Sequence, residues 1–273
     1  MKKQGSFLDH LGELNAAFLH SYGESGTGKL LQLIDFKKDD AVLEIGYGTA
    51  ATLVKIASEN NHVKLYGVEQ SEIMFDKARQ RIRISGLQKN ISLAKIGRGQ
   101  QFPFENNFFD KIIIESVLAI QDNAALHFLL SEVLRVLRPG GAFYLNETVW
   151  LPAITQDEIN RINSYCENQF GIVQSNGTYR YRDEWKKLLE EHRFQILQLR
   201  SVKDIETKDE RKGSNIHQLI SKIYSVYGKI KSKLIRRLRN ESSFYKASMK
   251  NVFQDKQYLE GIIIVALKNT SAN

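Results

Sequence analysis

One stretch of this 273-residue chain decides its fold: Val42-Leu43-Glu44-Ile45-Gly46-Tyr47-Gly48-Thr49-Ala50. The apolar residues before Gly46 predict a short buried strand, the two glycines predict a tight turn, and a helical pattern follows. Glycine allows a positive φ and lets a ligand approach the backbone, and the first amides of the next helix point at that ligand. The stretch therefore predicts a strand, a turn and a helix that border a binding site.

The chain on both sides of this turn alternates between short apolar runs and amphipathic segments. We expect strands at 41–45, 63–68, 91–96, 111–114, 142–145, 194–199 and 258–267, with helices at 49–58, 71–85 and 123–137. A turn is predicted at Pro139-Gly140-Gly141. Such alternation is typical of an α/β fold, and we expect a seven-stranded, mostly parallel sheet whose last strand is antiparallel.

The length predicts a single domain over residues 1–273 with three helical additions. These are an N-terminal cap at 1–40, an insertion at 151–192 and a basic insertion at 203–257. We expect the two insertions to cover the carboxyl edge of the sheet as a lid and to form a substrate pocket. The oligomeric state stays open.

Positive charge is concentrated in one segment. The net charge is +8, and the stretch from Arg200 to Lys250 contains 14 basic and 5 acidic residues, so the rest of the chain carries about −1. Within it, residues 214–240 predict one helix whose apolar face includes Ile216, Ile223 and Ile230. Three interpretations stay open: a lid helix packed on the domain by that face, attachment to an anionic membrane, or contact with nucleic acid or a protein partner.

Two carboxylates indicate what the glycine turn binds. Glu69 follows Gly46 by 23 residues and ends the second predicted strand, where an acidic side chain accepts hydrogen bonds from a ribose diol. Glu44 immediately precedes the turn, and its negative charge favours a cationic ligand over the anionic pyrophosphate of a dinucleotide. The alternative is an ordinary strand–helix turn with solvated carboxylates.

These features together resemble the class I S-adenosylmethionine-dependent methyltransferases, close to the quinone-methyltransferase-like or type 11 group. Besides the turn at 44–48, the resemblance rests on Gly67-Val68-Glu69-Gln70-Ser71, on the string FPFENNFFD at 102–110 and on the string EVLRVLRPGG at 132–141. It implies a Rossmann-like fold, S-adenosylmethionine as cofactor, S-adenosylhomocysteine as product, and methyl transfer as activity.

The resemblance also implies roles for individual residues. Glu44 would contact the methionine part of the cofactor, and Glu69 would hold the ribose. The remaining cofactor-binding residues it implies are Gly46, Tyr47, Gly48, Gln70, Met74, Gly97, Arg98, Gly99, Glu115 and Ser116. One departure concerns adenine: relatives carry an acidic residue after the third strand, whereas Arg98 cannot accept a hydrogen bond. Either Gln100 or a backbone carbonyl would then replace it, or cofactor binding would be weakened.

Methyl transfer needs a general base only when the acceptor must lose a proton. The candidates are His20 beside the N-terminal link, Glu115 after the fourth strand and Glu147 at the end of the fifth. His10 and Tyr22 are further possibilities, and for each histidine a packed or surface imidazole is the alternative. No cluster of His, Asp and Glu has the spacing of metal ligands, so we expect no metal.

The expected function is methylation of a small, lipophilic or aromatic molecule by a cytoplasmic enzyme. The single cysteine, Cys166, suits a reducing compartment, and no apolar run approaches the length of a membrane span. Two alternatives remain: an RNA methyltransferase that uses 200–250, and a non-catalytic relative in which Arg98 displaces the cofactor. Nucleic acid is disfavoured because the Asn/Asp-Pro-Pro-Tyr box of base-methylating enzymes is absent. The match of 23–29 to a P-loop lacks the required hydroxyl, since residue 30 is leucine.

Overall fold

The computed structural model describes residues 6–20, 22–207, 215–254 and 256–269. Within them, seven strands form one sheet: β1 (Ala41–Ile45), β2 (Lys64–Glu69), β3 (Ile91–Lys95), β4 (Phe109–Glu115), β5 (Leu137–Trp150), β6 (Phe194–Ser201) and β7 (Leu259–Lys268). The helices of the same residues are α1 (Phe7–Glu13), α2 (Gly23–Leu31), α3 (Ala51–Glu59), α4 (Glu72–Ile84), α5 (Asn123–Val136), α6 (Gln156–Phe170), α7 (Arg182–Glu191), α8 (Ile216–Leu234) and α9 (Arg236–Phe253).

The sheet has the strand order β3–β2–β1–β4–β5–β7–β6. β7 runs antiparallel to β5 and β6, and the other neighbouring pairs are parallel. The predicted α/β architecture with an antiparallel last strand is therefore confirmed. The strand order reverses between β1 and β4, so the loops after these strands diverge and leave a crevice at their carboxyl ends.

Helices cover both faces of the sheet, as a buried parallel sheet requires. Successive side chains of β1 point to opposite faces: Val42 shares an apolar cluster with Leu53 of α3, whereas Leu43 shares another with Leu130 of α5. A third cluster joins Trp150 at the end of β5 to α6 and α9. α8 packs instead on α3 and α4, so the two helices α8 and α9 contact different parts of the domain.

The fifth strand differs from its prediction. It runs from Leu137 to Trp150 instead of 142–145, because β7 pairs with it continuously from Ala142 to Trp150. The predicted Pro139-Gly140-Gly141 turn lies inside the strand as a bulge, and Gly140 there has a φ of +71°. The pairing of β5 with β4 shifts at this point: Phe109 lies opposite Leu137, and Lys111 lies opposite Ala142. Asn146 and Glu147 consequently lie within the strand and not at its end.

The basic segment forms two helices where one was predicted. The helix breaks at Ile235, which has an extended backbone, and α9 then continues to Phe253, where it packs on α1 and α6. Ser214, the first residue of the predicted helix, and the rest of 208–214 lie outside the described residues.

The side of α8 that packs on the domain is the opposite of the one that the lid interpretation predicted. Ser221, Tyr224 and Gly228 are buried, whereas the predicted apolar face is exposed, with Ile223 and Ile230 more than half accessible. Contact geometry explains this result. A Cβ at position 228 would lie 1.7 Å from the Leu14 carbonyl oxygen, so α8 can approach the N-terminal segment this closely only with glycine at that position.

Candidate functional site

The crevice beside β1 opens into a cavity of about 400 Å³. The carboxyl ends of β1, β2 and β4 form its floor, and the N-terminal segment forms its roof with Leu8, Asp9, Phe18 and Leu19. Among the described residues that line it, none belongs to the insertions at 151–192 or 203–257. The structure thus places the N-terminal cap around this cavity, and not the two insertions.

The glycine turn forms one wall of the cavity. Gly46 and Gly48 have φ values of +71° and +53°, which glycine adopts without strain. A Cβ at Gly46 would also come within 2.4 Å of Val117 Cγ2, so packing requires glycine there as well. Ala50 precedes α3 in the left-handed region and gives the helix no side-chain cap. The first turn of α3 therefore presents its amide dipoles toward the cavity side of the turn.

Glu69 is fixed against this turn by backbone amides. Its carboxylate accepts hydrogen bonds from Gly48 at 3.0 Å, from Gln70 at 2.8 Å and from Ser71 at 2.9 Å. Burial raises the pKa of Glu69, although the three amides act in the opposite direction. A carboxylate oxygen has more than one lone pair, so this side chain can still accept hydroxyl donors from a ligand.

Glu44 is a buried carboxylate with an unsatisfied oxygen. Its side chain lines the cavity, the residue is 4% exposed, and Oε2 has no hydrogen-bond partner among the described residues. Burial raises the pKa of Glu44 well above its ordinary value, and the negative charges of Glu115 and Glu69 raise it further. A bound cation would relieve both effects, so this side chain fits a positively charged sulfur centre.

The other predicted cofactor residues divide into two groups. Tyr47, Gln70, Met74 and Ser116 line the cavity. Gly97, Arg98 and Gly99 do not line it; instead Arg98 and Gly99 border an adjoining cleft of about 350 Å³ that shares Gln70, Ile96, Gln121 and Leu129 with the cavity.

Arg98 is turned away from the cavity. Its guanidinium donates to Asp122 Oδ2 at 2.5 Å, and its side chain is 73% exposed. Gln100 Oε1 accepts the Gly97 amide at 2.7 Å, which commits the predicted substitute to a local bond. Gln121 lines both the cavity and the adjoining cleft, and its Nε2 donates to the Val117 carbonyl at 2.9 Å, so its Oε1 is the side-chain atom that could accept a hydrogen bond from a ligand. No motif in the sequence marks it.

His20 and Glu115, which are 95 positions apart, meet at the floor of the cavity. His20 Nε2 lies 3.3 Å from Glu115 Oε2, and the two side chains are 7% and 4% exposed. Asn146 Nδ2 donates to Glu115 Oε2 at 2.9 Å. Two hydroxyls complete the set: Thr27 lies 3.0 Å from the carboxylate, and Thr52 lies 3.1 Å from it. Glu115 is thus held by three donors besides the imidazole.

The contacts of His20 are consistent with one neutral tautomer. Nε2 lies 2.8 Å from Thr27 Oγ1, and Nδ1 lies 3.3 Å from Asn146 Nδ2. Because the Asn146 amide can only donate through Nδ2, Nδ1 is the acceptor and Nε2 carries the proton. Thr27 then receives that hydrogen bond and donates its own to Glu115. A basic nitrogen backed by a buried carboxylate is a suitable proton acceptor.

Glu147 has a different environment from the one predicted. Its carboxylate is completely buried and accepts the amides of Val117 at 3.0 Å, Leu118 at 2.9 Å and Ala119 at 3.3 Å. Burial raises its pKa to about 7 despite these amides. The residue does not line the cavity within the described part of the chain. It holds the loop that follows β4, and Val117 of that loop does line the cavity.

The remaining candidates lie outside the cavity. His10 contacts Glu241 and Ser242 of α9 at 3.0 Å each. Tyr22 packs against Gly261 of β7, and Cys166 is buried in the third apolar cluster. Burial raises the pKa of the Cys166 thiol to about 11, which opposes formation of the thiolate.

Several site residues were not predicted from the sequence. Thr27 belongs to the P-loop-like string at 23–29, which folds into α2 and supplies a hydroxyl to Glu115. Asp9 lines the roof and accepts a hydrogen bond from Ser71 at 2.9 Å, which ties α1 to the start of α4. The capping box that Asp9 forms with Ser6 is visible in sequence, but it marks only a helix start.

In the ranges of the chain that the structure describes, no group of three or more His, Cys, Asp and Glu side chains is arranged to hold a metal ion. No helix in the same ranges is both long and apolar enough to cross a bilayer.

Comparison with known sequences identifies relatives. The family described as methyltransferase domain matches residues 36–193. A demethylmenaquinone methyltransferase of Symbiobacterium thermophilum is 34% identical over 109 residues, which are 40% of this chain and 42% of that enzyme. The chain therefore matches less than half the length of that relative.

Solved structures share the fold at low identity. The (4+2) cyclase SpnF aligns over 90% of this chain and 80% of its own, with 17% identity and a TM-score of 0.64. The geranyl diphosphate C-methyltransferase of Streptomyces coelicolor, solved with Mg²⁺, geranyl diphosphate and S-adenosylhomocysteine, aligns over 90% of this chain and 78% of its own, with 16% identity and a TM-score of 0.60. These alignments extend the shared fold beyond the matched family segment.

Proposed function

This chain belongs to the methyltransferase-domain family and is an S-adenosylmethionine-dependent methyltransferase, and we propose that its acceptor is a small, lipophilic or aromatic molecule without phosphate. One observation carries the proposal: a single cavity joins a buried carboxylate with one unsatisfied oxygen, the His20–Glu115 pair and the apolar side chains of the roof.

The residues around the glycine turn fit the cofactor. Glu44 would face the cationic sulfur side, and Glu69 would accept the ribose hydroxyls while its amide contacts keep it in place. Gly46 and Gly48 keep this wall free of side chains. The bound cofactor supplies an electrophilic methyl group, and the protein has to align an acceptor with it and keep water away.

His20 is the base we propose for an acceptor that must lose a proton. The acceptor would displace the long contact of 3.3 Å between Asn146 Nδ2 and His20 Nδ1, and Nδ1 would then take the acceptor's proton. The imidazolium that forms is stabilised by Glu115 through Thr27 and by direct charge attraction. Asn146 and Thr52 keep the Glu115 carboxylate oriented. Glu147 does not contact the acceptor in this proposal; it is a positioning residue for the loop after β4 that contains Val117.

The charge of the cavity limits the acceptor class. Asp9, Glu44, Glu69 and Glu115 line it, and no lysine or arginine does so among the described residues. The negative charges of these four carboxylates would repel a phosphate group there. The geranyl diphosphate enzyme is therefore a guide to the fold but not to the acceptor's headgroup. Phe18, Leu19 and Ile120 offer apolar surface for a neutral ring or hydrocarbon.

The same argument disfavours RNA as the acceptor. A polynucleotide would have to bring phosphates to the rim of an acidic cavity, and the basic helices α8 and α9 do not line it. Salt-insensitive activity on small molecules is the corresponding expectation, since phosphate contacts make binding fall steeply with salt.

The test uses the purified chain, radiolabelled S-adenosylmethionine and matched acceptor pairs, each a hydrophobic phenol or prenol with and without a remote phosphate. We expect label only in the neutral members. His20→Asn should lower kcat by about 100-fold or more, the scale of general-base catalysis, while the affinity for S-adenosylhomocysteine stays unchanged.

Two results would contradict the proposal. Faster turnover of the phosphorylated members would refute the acceptor class. Full activity of H20N at unchanged KM would refute the role of His20 as the base. It would not affect the conclusion about the acceptor class, which depends on the comparison of acceptors with and without phosphate. The exposed Glu105→Gln serves as a control variant.

A further inference from the structure

Helix α8 presents its apolar side to solvent. We call this side the α8 stripe: Leu219, Ile223, Val226, Tyr227, Ile230 and Leu234, which recur at steps of three and four. Their exposed fractions run from 45% for Leu219 to 77% for Leu234. A surface helix normally buries its apolar side, so the polarity of α8 is reversed. A contiguous exposed apolar surface of this kind marks an interaction site.

The packed side of α8 fixes this orientation. Arg81, completely buried in α4, donates to the Ser221 carbonyl and hydroxyl at 2.8 and 2.9 Å. Its other guanidinium bonds reach the Thr49 carbonyl and the Asn15 carbonyl at 2.8 Å each. Together with the close approach of Gly228 to Leu14, these bonds prevent the helix from turning its apolar residues inward.

Positive charge accompanies the stripe. From Ile216 to Arg239 the sequence has seven basic residues and no aspartate or glutamate: Lys222, Lys229, Lys231, Lys233, Arg236, Arg237 and Arg239. Lys222, Lys229 and Lys233 are spaced by seven and four residues, so they lie along one flank of the helix beside the stripe.

From this combination we propose that α8 docks on an anionic lipid bilayer, with the α8 stripe in the acyl–headgroup boundary and the flanking lysines on lipid phosphates. A bilayer uses both properties, since it takes up aliphatic side chains and attracts basic ones. Lys222 forms an ion pair with Glu24, and Arg237 forms ion pairs with Glu13 and Glu241. A second copy of the chain would still bring Lys229 and Lys233 close to the same residues of the first copy, which opposes self-association through this face. A nucleic acid would satisfy the charges and leave the aliphatic residues in water.

The experiment is co-sedimentation of the full chain with vesicles of phosphatidylcholine alone and of phosphatidylcholine with one third phosphatidylglycerol. We expect binding to the anionic vesicles and little to the neutral ones. Ile223→Ser with Ile230→Ser should reduce binding by on the order of 100-fold through lost apolar burial. Lys229→Gln with Lys233→Gln should reduce it by about 25-fold, at roughly fivefold per charge.

Leu197→Ser is the matched control, because Leu197 is a half-exposed aliphatic residue on β6. It should bind vesicles like the unmodified chain. All variants should keep their affinity for S-adenosylhomocysteine, which shows that they are folded and separates this proposal from the proposed acceptor.

Three outcomes would overturn the proposal. The first is equal vesicle binding by the unmodified chain and the I223S/I230S variant. The second is equal binding to neutral and anionic vesicles. The third is a dimer in sedimentation velocity that I223S/I230S abolishes, which would identify a second copy as the occupant.

Discussion

Glu147→Gln isolates the effect of one buried carboxyl group on stability. Glutamine keeps the size of the side chain and an oxygen that can accept the amides of Val117 and Leu118. It loses only the longer contact with Ala119, at 3.3 Å, and it cannot ionise. Any difference in pH dependence between the two proteins therefore belongs to the ionisation of Glu147.

The magnitude follows from the pKa of Glu147, which burial raises from 4.5 to about 7. Between these two values the folded state keeps a proton that the unfolded state has lost. The free energy of unfolding consequently falls as pH rises through this window and levels off above about pH 7. The full effect is about 3.4 kcal/mol, of which about 2.5 kcal/mol falls between about pH 5 and about pH 8.

The assay is urea unfolding of both proteins across this pH range at constant ionic strength, followed by far-ultraviolet circular dichroism. Contributions from Glu44 and Glu69, whose pKa values are also raised, are present in both proteins and cancel in the difference. E147Q should gain about 2.5 kcal/mol relative to the unmodified chain on going from about pH 5 to about pH 8. The exposed Glu105→Gln should show no such change. A difference that does not vary with pH would refute the assignment of an ionisable group shielded from water.

Three further predictions concern the cofactor side of the cavity. Glu69→Ala should weaken S-adenosylhomocysteine binding in calorimetry by about 1–3 kcal/mol, the scale of hydrogen bonds to a charged group; an unchanged affinity would place the ribose elsewhere. Glu44→Gln should weaken S-adenosylmethionine at least about tenfold more than S-adenosylhomocysteine, because only the former carries a charge. Equal losses for the two compounds would contradict the charge argument. Gly46→Ala should lower the free energy of unfolding by about 1–3 kcal/mol through the clash with Val117, measured by urea unfolding, and a neutral result would show that the loop can yield.

Local patterns predicted the part of the site that lies within one supersecondary unit. The strand at 41–45, the glycines after it and the acid at 69 follow each other at spacings that the βαβ geometry fixes. The structure brings these residues together, because β1 and β2 are adjacent parallel strands in which Glu44 lies opposite Gly67. Short-range rules are sufficient when the residues concerned are brought together by neighbouring strands.

Contacts between distant segments could not be predicted in this way. Periodicity shows which residues of α8 share a face, but not which face packs on the domain. That choice depends on Gly228 meeting Leu14 and on Ser221 meeting Arg81, contacts that span more than a hundred residues. The His20–Glu115 pair and the N-terminal roof have the same origin. The sequence named both residues as candidates, but only the fold places them together.

The acidity of the cavity connects cofactor choice with turnover. Burial raises the pKa of Glu44, and repulsion from the charges of Glu115 and Glu69 raises it further. A sulfonium cation reduces this repulsion, so the site favours the charged methyl donor. In the proposed reaction, transfer of the methyl group would leave a neutral sulfur. The His20 imidazole would hold the proton taken from the acceptor. The attraction between the carboxylates and the sulfur would then be lost, so S-adenosylhomocysteine would be replaced readily by the next molecule of the charged donor. We therefore expect the carboxylates that favour the charged methyl donor to bind the neutral product less tightly.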